Sequence, residues 1–168
     1  MDCAHDRSNV VINMSRRYRM NPHKRSRSVV EVLEAIKASL LPLPDLLVES
    51  LSLRHHIALE MMRLGMGSSE HLHTLMKVVA LAGVLADDGY GQLSQEDRLA
   101  AQDAAQAALL HGQELGKWFL AADGFDIIAK MVSLHDEQLR IAPFAAVFTA
   151  GKQIDQSIPP QTGAYLTW

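Results

Sequence analysis

A chain of 168 residues, 48% of them hydrophobic, is long enough to bury one core without covalent staples, and its lone cysteine, Cys3, excludes an intrachain disulfide and points to a reducing, cytoplasmic location. With only 5% aromatic residues that core must be built from Leu, Ala, Val and Met, and such helix formers with little β-branched alternation predict an all-α fold, a compact bundle of about five antiparallel helices with a short sixth at the C-terminal end. The net charge of -3 hides a basic beginning, seven Lys and Arg against two Asp in residues 1–27, ahead of an acidic body, and no apolar run approaches the roughly twenty residues that cross a bilayer.

Residues 1–28 show no helical periodicity, and Arg16, Arg17, Arg19, Lys24, Arg25 and Arg27 crowd around Pro22. So little apolar surface cannot offset chain entropy, and a disordered basic arm is expected. It could lie weakly on DNA, each cation releasing a phosphate counterion, or serve only as a solubilising leader.

The helical bundle domain is expected over residues 29–156, with a loose Pro- and Gly-containing tail over 157–168. Its first helix, Val29 to Leu41, carries Val29, Val32, Leu33, Ile36 and Leu40 at helical spacing and stops at Pro42 and Pro44. A second helix runs from about Asp45 to Leu64. Glu49, Ser52, His56, Glu60 and Arg63 form its expected wet face and Leu46, Leu53, Ile57, Met61 and Leu64 its dry one.

Gly65 to Ser68 makes a tight connection, and Ser68 or Ser69 can cap the third helix. Helix, glycine turn, helix suggests a DNA-reading helix-turn-helix. However, the segment Leu75 to Ala86 holds Lys77 as its only charge, and a helix apolar on nearly every side belongs at the centre of a bundle. A helical hairpin is therefore the expectation. Asp87 to Gly91 ends that strut, Ser94 and Asp97 open a fourth, alanine-rich helix from about Gln95 to Gly112 or a little beyond, and Trp118 and Phe119 mark a connection folded onto the bundle. The fifth helix, about Phe125 to Ile141, has Ile128, Met131, Val132, His135 and Leu139 on its dry face. Pro143 then opens a last short helix reaching about Gln156.

No catalytic motif and no cofactor-binding signature stands out in this order of elements. The candidates for chemistry are histidines: His55 and His56 with Glu60, the Glu70 and His73 pair spelling one E-x-x-H, His71, His111 and His135. Brought together, His55, His56, Glu60, His73 and His135 could hold a metal in a helical enzyme or sensor. Read singly, they are surface or core-edge residues, and His135 is a structural histidine on an apolar seam. Met61, Met62 and Met66 offer a soft surface for self-association.

Three strings, Ser52–Gly91, Gly116–Trp118 and Leu134–Leu139, resemble a family of small helical proteobacterial proteins labelled as Fis-family transcriptional regulators. The likeness covers roughly residues 45–142 and implies a helical fold. Past Leu139 only Arg140 and Lys152 are basic, so what it implies about activity stays open. The leading expectation is a non-enzymatic regulatory or protein-interaction domain that binds a protein partner or its own copy, touches DNA weakly through the arm and does not enter the membrane.

Overall fold

The computed structural model describes residues 28–157, and those residues form α1 (Val29–Ser39), α2 (Asp45–Arg63), α3 (Ser69–Asp87), α4 (Gln95–Leu115), α5 (Ala122–Ile141) and α6 (Phe144–Ser157). The fold is all-α. No strand occurs among the described residues beyond an isolated bridge between Pro42 and Pro143. The basic arm and the C-terminal tail lie outside them.

Local chemistry sets most helix ends. Ser28 caps α1 in a box with Glu31, Ser94 accepts from the Asp97 amide at the start of α4, and the basic Arg63 and Arg140 sit in the last turns of α2 and α5. At the start of α3 the capping residue is Ser68, and its box partner is His71, whose Nδ1 accepts from the Ser68 amide at 3.1 Å. That bond gives His71 a structural occupation. α5 begins three residues before the periodicity predicts, at Ala122.

The central position belongs to α3, which touches α2, α4, α5 and α6 and buries Leu72, Leu75, Val78, Val79, Ala82, Gly83 and Leu85. The expected strut is thus covered as its composition requires. Around it the main core gathers Leu59 and Met62 of α2, Ala101, Ala105 and Ala108 of α4, and Ile128, Met131 and Val132 of α5. The alanines let α4 lie close to α3 and α5. The connection after α4 folds down as expected. Leu120 is buried, its amide donates to the Met62 carbonyl at 3.2 Å, and the Phe119 ring stacks on His111 at 5.2 Å.

The face of α2 needs correcting. The stripe expected to be dry, Leu46, Leu53, Ile57 and Leu64, is exposed, and Met61 is only half-buried; the residues turned inward are Val48, His55, Ala58, Leu59 and Met62. Counting apolar side chains favoured the more aliphatic of two competing stripes. Packing selected the one in which Ala58 is small enough for α3 and α5 to approach, at the cost of burying a histidine.

α1 stands apart from the core. It meets the rest of the chain chiefly along α6 and buries none of its residues. Its link to α2 is nonetheless anchored: the Phe144 amide donates to the Leu41 carbonyl at 2.8 Å, and Leu43 is buried with Val48 and Leu139.

Candidate functional site

Where α2 crosses α5, four buried polar side chains meet: His55 from α2, and His135, Asp136 and Gln138 from α5. The spacing explains the assembly. His55 lies on the Val48 and Met62 side of α2, and His135 and Gln138 continue the stripe begun by Ile128 and Met131 on α5. The His55 and His135 rings stand 5.5 Å apart at 41°. At the rim the Nε2 of His56, half-exposed, donates to Oδ2 of Asp136 at 2.8 Å.

Burial dominates the electrostatics. It lowers the His55 pKa from 6.5 to about 4, helped by the neighbouring His135 and opposed by Asp136. His135 is held down by the same desolvation, against the pull of a 3.4 Å contact with Gln138 Oε1 and of Asp136. Both imidazoles are therefore neutral at pH 7. Two atoms in the cluster, Nδ1 of His55 and Oδ1 of Asp136, are buried and find no hydrogen-bond partner among the described residues.

Gln138 is better satisfied. Its Nε2 donates to the carbonyls of Ala82 at 3.0 Å and Tyr90 at 2.8 Å. One amide thereby ties α5 to the last turns of α3 and to the loop that follows.

The histidine candidates are only partly brought together. His55, His56 and His135 converge with Asp136, which the spacing did not single out, although Asp136 adjoins His135 on an otherwise buried stripe. Glu60 instead pairs with Arg63 at 2.7 Å, which lowers its pKa, and His73 is exposed on α3. His55, which the spacing assigns to neither face of α2, is buried. Among the described residues no group of three or more His, Cys, Asp and Glu side chains is placed to hold a metal ion. In chemical terms the Asp136 carboxylate orients the His56 ring through that one hydrogen bond. Two surface concavities lie elsewhere. One, of about 320 Å³, lies between α2 and α3 beside Leu53, Ile57 and Thr74; the other, of about 830 Å³, lies between α3, α4 and α6 beside Met76, Gln106 and Ile154.

What the surface does carry is aliphatic. Val29, Val32, Leu33 and Ile36 on α1 with Leu40 at its C-cap, and Leu46, Leu53 and Ile57 on α2 with Leu64 at its C-cap, are all more than 40% exposed, and Leu46 reaches 82%. Two such aligned stripes exceed the scattered exposed leucines of an ordinary surface. Of the methionines expected to form a soft surface, Met62 is fully buried and Met66 is exposed. No helix among the described residues is long and apolar enough to cross a membrane.

Comparison with protein-family models, with curated proteins and with solved structures yields no match for this chain.

Proposed function

We propose that the protein is a non-enzymatic regulatory domain that acts by binding another protein through the aliphatic stripes of α1 and α2, with the basic arm adding weak, salt-dependent affinity for DNA. One observation carries the reading: α1 is an amphipathic helix of eleven residues that buries none of them. A helix that short is marginal in water by itself, and its apolar stripe has a use only when something covers it. The regulatory element rests on the resemblance of the Ser52–Gly91 segment to helical proteins labelled as Fis-family transcriptional regulators.

Photo-crosslinking side chains introduced at Leu33, at Leu53 and, as a control on α4, at Asp103 test the binding face. Discrete protein adducts are expected from the first two positions and not from the third; no adduct from either stripe position overturns the proposal. For the arm, duplex DNA binding is measured across a salt series with the native chain and with Arg16, Arg17, Arg19, Lys24, Arg25 and Arg27 all changed to Gln. The expected result is a steep salt dependence, roughly 0.9 in log K per phosphate neutralised, that disappears in the variant. Equal, negligible binding by both chains removes the nucleic-acid element.

A further inference from the structure

Resting on the protein-binding reading, we infer that the partner is a second copy of the chain, and that α1 of each copy lies along the α2 stripe of the other, at the mouth of the α2–α3 groove. Both halves of such a contact are present and open on one molecule.

The two stripes match in pattern. On α1 the steps from Val29 to Leu33, Ile36 and Leu40 are four, three and four residues, and on α2 the steps from Leu46 through Ser50, Leu53 and Ile57 repeat four, three and four before the stripe continues to Leu64. Val32 lies beside the α1 seam and Ser50 is a polar position within that of α2, so the likeness is one of spacing, the alternation of threes and fours along which two helices pack. They also match in length. Eleven residues of α1 make about 16 Å of helix, and the patterned stretch from Leu46 to Ile57 is about as long. The groove of about 320 Å³ opens beside Leu53, Ile57 and Ala58, ready to take side chains from a helix laid along α2.

Charge agrees with this pairing. Lys37 borders the α1 seam, Glu49 and Arg54 border that of α2, and none of the three has an ion pair among the described residues. Lys37 of one copy can therefore meet Glu49 of the other. Charge permits the pairing and geometry selects it. Within one chain the anchored link at Leu41 and Leu43 holds α1 along α6, away from its own α2 stripe. Docking onto a neighbour's α2, with the neighbour returning the contact, makes a closed two-fold arrangement. If α1 and the matching α2 stretch are covered in both copies, the apolar area removed from water is roughly 1,000–1,600 Å² in total, enough for a specific interface.

The test uses the full chain. Sedimentation from about 1 to 100 µM is expected to show a dimer for the native protein and a monomer for Ile36→Asp and for Leu53→Asp, with circular dichroism and Tm of the bundle preserved because neither side chain is buried. An equimolar mixture of the two variants then identifies the geometry. The intact α1 of the Leu53→Asp chain can still meet the intact α2 of the Ile36→Asp chain, so labelled variants are expected to form a mixed dimer at concentrations where neither self-associates. Pairing of α1 with α1, or of α2 with α2, cannot recover in this way. A native protein that stays monomeric at 100 µM, or a dimer whose variants show no recovery on mixing, overturns the inference. If the native chain is monomeric while Leu33 and Leu53 still crosslink to other proteins, the self-association fails and the interaction reading stands; without such adducts both fail.

Discussion

Gln138 shows how a single polar side chain can organise a helix junction that apolar contacts alone would leave loose. Fully buried on α5, it donates to two carbonyls near the end of α3, those of Ala82 and Tyr90, and its oxygen faces Nδ1 of His135. Replacing it with leucine preserves volume but takes the donor from the part-buried Tyr90 carbonyl, while the Ala82 carbonyl keeps its own helical bond. Gln138→Leu is therefore expected to lower unfolding free energy by about 1–2 kcal/mol, since an unsatisfied buried group costs about 1–3 kcal/mol and the added apolar contact returns part of it. Urea unfolding followed by circular dichroism measures this, and a loss under about 0.5 kcal/mol would mean that water reaches the Tyr90 carbonyl. Arg98 plays a related part nearby: its guanidinium grips Asp87 at 2.6 and 2.9 Å and donates to the Gly83 carbonyl at 3.2 Å, closing α3 onto α4.

Between elements, the tightest constraint falls where the α4–α5 connection returns to the bundle. The Trp118 ring lies directly against Gly112, so closely that a methyl group there would overlap it, and the chain has just turned through Gly116 at a φ of 65° to bring the ring back. Gly112→Ala gains about 1 kcal/mol of helix propensity but must displace an indole packed on the core, and the expected net is a loss of about 1–2 kcal/mol. Gly151 on α6 has open space around it, so Gly151→Ala should be neutral or stabilising by up to about 1 kcal/mol. Thermal unfolding of the two variants should move Tm in opposite directions, or at least unequally in that order. Boundaries marked by a cap or a proline were legible because those signals are local, whereas the start of α5, which has no side-chain cap, was not. The buried face of α5 was legible too, because its apolar residues form one unbroken stripe. On α2 the signal misled: Leu46, Leu53, Ile57 and Leu64 outweigh Val48, His55, Ala58 and Leu59 in hydrophobicity, yet they face outward. Periodicity records that a face is apolar, not whether its own chain or another covers it. Asp136 and Gln138 were missed for the complementary reason, polar residues on a buried stripe being visible only once their partners on α2 and α3 are placed.

For the molecule as a whole, the junction of α2 with α5 makes stability depend on pH. His55 and His135 are buried neutral, with the His55 pKa brought from 6.5 to about 4 by desolvation first and by His135 second. In the unfolded chain both titrate near 6.5, so between pH 6.5 and 4 the unfolded state binds more protons than the native state. A depressed histidine pKa thus gives stability that is complete above pH 6.5 and is lost as pH falls toward 4. For His55 the loss is about 2–3 kcal/mol, and His135 adds to it in the same direction. Asp136 opposes the shift at both histidines, whereas Arg54 and His56 reinforce it at His55. Urea unfolding at intervals from pH 7.5 to 4.5 should show stability falling with pH for the native chain and falling less steeply for His55→Gln, which packs a neutral side chain at the same place. Parallel curves for the two proteins would show that His55 is protonated in the native state, contrary to its burial between α2 and α5. A bundle whose α2–α5 contact weakens in acid would also loosen the outer face of α2, so in a dimer joined there, acid should lower association over the same pH interval.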